Sequence, residues 1–74
     1  MRDKLINFRG NISQKEMAKE YGVSQQLWSK WENGTACPSP STMLLLERKS
    51  GIPMEELFFD SFNNLMELND NAAS

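Results

Sequence analysis

Residues 13–34, SQKEMAKEYGVSQQLWSKWENG, constrain the fold more tightly than any other stretch. Ser13 is a helix N-cap residue, and Glu16 completes the pattern of a capping box. Met17, Ala18 and Tyr21 fall on one side of the helix that follows, while Lys15, Lys19 and Glu20 face away. Gly22 can adopt the left-handed backbone that ends a helix without a side-chain clash. Val23 is apolar, and Ser24 caps a second helix over residues 24–33. The stretch predicts two short helices joined by a sharp turn.

The second helix divides into two unlike halves. At a rotation of about 100° per residue, Gln25, Ser29, Asn33, Gln26 and Lys30 occupy one arc, and Leu27, Trp31 and Trp28 the opposite one. Both indoles are expected in the core. The other face is short-armed, almost uncharged and made of hydrogen-bonding groups, unlike an ordinary solvated surface. Glutamine can pair bidentately with the adenine edge in the major groove, and lysine suits guanine. Two readings are open on this pattern: an amphipathic hairpin inside a helical bundle, or a helix that reads base edges. A capped helix, glycine turn and second capped helix is the helix-turn-helix plan, in which the second helix enters the groove.

These residues resemble the helix-turn-helix of the XRE, or Cro and lambdoid-repressor, family. The matching elements are Ser13-Gln14, Met17-Ala18, Gly22-Val23-Ser24 and Trp31-Glu32-Asn33-Gly34. The resemblance continues through Pro38 or Pro40 and Gly51-Ile52-Pro53 to Leu57-Phe58, covering roughly residues 2–59. It implies an all-α, five-helix lambda-repressor-like domain over residues 1–60, followed by a short acidic extension over 61–74. It also implies a transcriptional regulator that binds double-stranded DNA as a homodimer, while the polar start MRDKLINFRG and the single cysteine point to the cytoplasm. Gln25, Gln26, Ser29 and Lys30 are then the base-reading candidates, and Ser13, Gln14, Asn33 and Thr35 the backbone-contacting ones. Gln14 is expected to hold a phosphate and to brace Gln25. Arg9 is expected to pair with Glu32 or to contact phosphate, although the connection to Gln14 is shorter than is usual in the family. Leu27 either packs internally or touches a thymine methyl.

The flanking segments carry their own signals. In RDKLINFR, Leu5 and Phe8 can face inward from a first helix, and Ile12 is placed to staple against Met17 across the Ser13 cap. Residues 34–41, GTACPSPS, form a loop without a basic residue, leaving the Thr35 hydroxyl and the N–H groups of residues 33–36 as the available phosphate donors. A fourth helix begins near Pro40 and runs through residues 41–50, with Met43, Leu44 and Leu46 inward. The resembled family usually has a small apolar residue at Glu47 and a large one at Ser50. Pro53 opens a fifth helix, PMEELFFDSF, and Ile52, just before it, and Leu57 complete the core. Phe58, Phe59 and Phe62 exceed what so small a core covers, and exposed aromatic surface marks an interaction site. The resemblance assigns Phe59 and Phe62 to a dimer contact. Alternatively, Phe62, Leu65, Met66 and Leu68 fold back as a further helix ahead of a frayed tail over 69–74.

Charge and composition narrow the function classes. The net charge is −2, but residues 1–34 hold six Lys/Arg against four Asp/Glu, and residues 35–74 hold two against six. The candidate DNA-reading half is the basic one, by a small excess, so non-specific affinity should be modest and the salt dependence shallow. One cysteine and no histidine supply neither an internal disulfide nor a zinc or haem ligand set, so no cofactor is expected. No apolar run is long enough to span a membrane. Catalysis has no nucleophile beside a base and no phosphate loop to support it, so the chain is not expected to be an enzyme. Besides a repressor acting at a palindromic operator, the acidic, Phe-rich C-terminal part supports an antitoxin or adaptor acting through a protein partner.

Overall fold

Serine caps open the central helices of the computed structural model, which describes residues 1–62. Ser13 Oγ accepts from the Glu16 N–H at 3.1 Å and opens α2, Gln14–Glu20. Ser24 Oγ accepts from the Leu27 N–H at 3.1 Å and opens α3, Gln25–Asn33. Ser39 does the same for Pro40–Ser50, with Pro40 in the first turn, where its missing N–H costs nothing. Numbered in chain order, α1 is Asp3–Arg9, α4 is Pro40–Ser50 and α5 is Met54–Leu57. No strand occurs among the described residues. Only half of the expected capping box forms, since no bond from the Ser13 N–H to the Glu16 side chain occurs among them.

Gly22 has φ +70° between α2 and α3, in the left-handed region that a side chain rarely adopts. The chain turns there because the Gly22 and Val23 N–H groups reach back to Lys19 O and Ala18 O at 3.2 and 3.0 Å. Gly34 ends α3 at φ +88°. Between those stops, α3 turns its indoles inward, as its periodicity predicts.

The core is Leu5 from α1, Met17 and Ala18 from α2, Trp28 and Trp31 from α3, Leu46 from α4, Leu57 from α5, and Phe58. Trp28 is fully buried and lies 5.5 Å from the Tyr21 ring in a stacked arrangement. Each large side chain removed from such a site costs about 3–5 kcal/mol, so the two tryptophans alone make α3 the centre of the fold.

Several expectations are corrected here. Ile12 is exposed and lies outside the core cluster that holds Met17. Leu44 and Leu45 point outward from α4, while Leu46 is fully buried and Met43 partly so, which rotates the inward stripe away from Leu44. Glu47 and Ser50, where the resembled family differs, both turn back to the backbone. Glu47 Oε2 accepts from the Met54 N–H at 2.7 Å, and Ser50 Oγ from the Ile52 N–H at 3.0 Å.

The fifth helix is not continuous through residue 62. It stops at Leu57, Phe58 leaves helical geometry at φ −123°, ψ 42°, and helical backbone resumes over residues 59–62. The break lets both Leu57 and Phe58 enter the core completely. Phe58 is therefore not surplus to the core, and Phe62 is partly buried against it, leaving Phe59 as the exposed aromatic of the three. A fold-back helix including Leu65, Met66 and Leu68, and the frayed tail, lie outside the described residues.

Candidate nucleic-acid interface

The outward face of α3 is set by what its inward face and its last turn hold. Glu32, on that last turn, is almost completely buried. Its carboxylate accepts from Arg9 Nε at 2.6 Å and Nη2 at 3.2 Å, from Gln14 Nε2 at 2.9 Å and from the Trp28 indole N–H. Arg9 thus takes the structural role the resemblance implied, and it also donates to Ile12 O at 2.9 Å. Burial by itself would raise the Glu32 pKa, but the hydrogen bonds from Arg9, Gln14 and Trp28 and the Arg9 charge overcome it and hold the group below the ordinary glutamate range.

Gln14 is consequently oriented by Glu32, and the expected brace from Gln14 to Gln25 is not formed by a hydrogen bond among the described residues. An ionised carboxylate only accepts, so the amide nitrogen must face it, with one amide N–H and the carbonyl oxygen left over. That places Gln14 at the rim of a shallow concavity whose other walls are Gln25, Gln26, Ser29 and Lys30. Sequence periodicity put the last four on one arc, and the fold adds Gln14 from the neighbouring helix. Gln25, Gln26 and Lys30 are exposed and Ser29 half-buried. Lys30 makes no ion pair among the described residues, so its charge faces outward uncompensated. Leu27 is partly buried against the core, in keeping with a packing role.

The other backbone candidates are not gathered there. Ser13 is exposed at the start of α2, with its hydroxyl oxygen accepting from Glu16. Asn33 and Thr35 engage each other, Asn33 Oδ1 accepting from both the Thr35 N–H at 3.1 Å and its hydroxyl at 2.7 Å. The N–H groups of Gly34, Thr35 and Ala36 all point back to Lys30 O at 3.0 to 3.3 Å. These loop N–H groups, expected as phosphate donors, are therefore already committed to closing α3. Asn33 lines a second, smaller depression with Met1, Arg2, Gly34, Phe59 and Asp60.

Sequence reasoning missed Arg2. A charged residue near a chain start ordinarily reads as surface, yet this one is 2% exposed. Its guanidinium donates to Trp31 O at 2.8 Å, Ala36 O at 2.7 Å, both oxygens of Asp60 at 2.9 and 3.1 Å, and Ser61 Oγ at 3.0 Å. It also lies over the Phe58 ring, 5.0 Å from the centroid. No signal near Arg2 in the chain could have identified partners so distant in sequence.

No group of three or more potential metal-ligating residues occurs among the described residues, and no described helix is long and apolar enough to cross a membrane. A helix-turn-helix family model matches residues 4–57. The cryptic phage CTXphi transcriptional repressor RstR of Vibrio cholerae is 33% identical over 57 residues, which is 77% of this chain and 51% of the repressor. The chain thus spans about half the length of that relative. No solved structure matches.

Proposed function

This chain belongs to the helix-turn-helix family matched across residues 4–57, and on that premise we propose that it is a sequence-specific DNA-binding transcriptional regulator. The observation that carries the reading is the concavity walled by Gln14, Gln25, Gln26, Ser29 and Lys30. Its groups are those that pair with base edges and phosphates, on a helix whose opposite face is locked into the core. Gln25, Gln26, Ser29 and Lys30 read bases, and Gln14 and Ser13 position the backbone. Asn33, at the C-terminal end of α3, and Thr35, just beyond it, add backbone contacts there.

A domain of this size offers one half-site, so specificity comes from a homodimer on a near-palindrome with half-site centres about 34 Å apart. Repression by occlusion is the simplest action for it, and the similarity to a phage repressor supports that sign of regulation. Phe59, 49% exposed, favours a second reading in which an antitoxin or adaptor surface lies at the end of the described residues.

The test is selection of binding sites from a randomised duplex pool at about 50 and 200 mM salt. Enrichment of a two-fold symmetric site is expected. Changing Gln25 or Gln26 to Ala should then cost about 1–3 kcal/mol at a single base pair. Equal loss on every sequence would make that glutamine a backbone contact instead. No enrichment at either salt would end the base-reading assignment and leave the protein-binding reading.

A further inference from the structure

Arg2 ties three segments together at the end of α3, and its bonds define how that end is held. Its two carbonyl acceptors are Trp31 O, in the last turn, and Ala36 O, in the loop beyond it, and its own backbone N–H donates to Glu32 O at 2.8 Å. From just before Trp31, Lys30 O collects the N–H groups of residues 34–36. Glu32, the residue whose carbonyl Arg2 holds, fixes Gln14 in the concavity. Arg2 and Lys30 O between them therefore hold the backbone from Trp31 to Ala36.

Asp60 is the counter-ion of this arrangement, a bidentate partner whose side chain is 37% exposed. It also lies beside the α3 cap, for a Cβ added at Gly34 would be 3.5 Å from Asp60 Oδ2. Arg2, Asn33, Gly34, Phe59 and Asp60 accordingly share one depression. A guanidinium suits such a site because its planar fork can serve carboxylate and carbonyls together, which a lysine ammonium cannot.

We propose that Arg2 is a positioning residue for DNA reading: with Asp60 as its counter-ion, it fixes the end of α3 and couples the helical turn carrying Phe59 to the reading face. The proposal rests on the DNA-reading function given above. Without the Asp60 charge, the buried cation keeps only neutral acceptors, and the last turn of α3 loosens. Gln14, held through Glu32, and Lys30 then lose their fixed relation. Neither residue touches DNA in this role.

The full chain is tested with Asp60→Asn, Arg2→Lys and Arg2→Met, at a temperature where circular dichroism shows each variant folded. Affinity is measured for the selected site and for a scrambled duplex, together with amide exchange at Gly34, Thr35 and Ala36. Asp60→Asn should speed that exchange and lower the ratio of selected to scrambled affinity roughly three- to tenfold. Merely removing a negative charge would instead tighten both duplexes alike, leaving the ratio fixed. Arg2→Lys should fall between wild type and Arg2→Met. An unchanged ratio in folded Asp60→Asn overturns the proposal and leaves Arg2 a structural anchor only. If Arg2→Met does not fold, Asp60→Asn decides. If the wild type selects no site, DNA reading itself has failed and the proposal falls with it, whatever the exchange at residues 34–36, whereas an unchanged ratio on a selected site overturns the proposal alone.

Discussion

Glu32 is a buried acid serving donors from three helices, α1, α2 and its own, and its removal should be felt throughout the domain. Glu32→Ala strands the Arg9 guanidinium, which is itself largely covered, and should cost about 3 kcal/mol in urea unfolding. Protonation acts in the same direction. The folded-state pKa of Glu32 is lowered, so its charge contributes stability that is fully present above the unfolded-state value and is lost as pH falls through the folded value. Asp60 has the same sign, its carboxyl held down by the hydrogen bonds from Arg2 against the opposing effect of burial. Thermal unfolding followed from neutral pH into the acid range should therefore show Tm falling below the ordinary carboxylate range. The Glu32→Gln variant should start lower and fall less steeply. A parallel acid limb in wild type and variant would show that Glu32 does not supply this dependence.

At the scale of elements, α3 depends on how it ends. Gly34 closes it at φ +88°, where an L side chain is strained whatever space surrounds it. The nearest atom to an added Cβ is Asp60 Oδ2 at 3.5 Å, an ordinary contact, so the cost of Gly34→Ala lies in the backbone. About 1–2 kcal/mol is expected in equilibrium unfolding. The same variant should speed amide exchange at Thr35 and Ala36, whose N–H groups share Lys30 O with Gly34. A cost near zero would mean that the chain ends α3 some other way. The contrast with α5 is instructive. That helix ends without a glycine because burying Leu57 and Phe58 side by side breaks it.

Across the whole molecule, the polar concavity is built on α2 and α3, and Phe59 stands beyond α5 with no core to cover it. Phe59→Ala should leave unfolding free energy within about 0.5 kcal/mol of wild type, as for most surface changes. Under the dimer assignment, sedimentation at micromolar concentration should show weaker self-association, with DNA affinity falling in step. Unaltered association would remove Phe59 from that role. A truncation meant to isolate the C-terminal part belongs after Phe62, since a cut after Phe59 would delete Asp60 and Ser61 and strip Arg2 of its counter-ion.

Local rules in the sequence determined the caps at Ser13 and Ser24, the stop at Gly22, and the division of α3 into an indole face and a polar face. Each depends on residues within a turn or two, where capping geometry and helical period act directly. Four of the five residues lining the concavity were legible for that reason, and the pairing of Arg9 with Glu32 came from the family resemblance. Tertiary structure alone decided that Arg2 is buried, that Phe58 goes in while Phe59 stays out, that Leu44 faces outward, and that Glu47 turns to the Met54 N–H. Consecutive apolar residues compete for the same core, and a charge can be buried only where partners converge on it. For Arg2 the deciding partner, Asp60, is 58 positions away, a separation over which no periodicity or cap carries information.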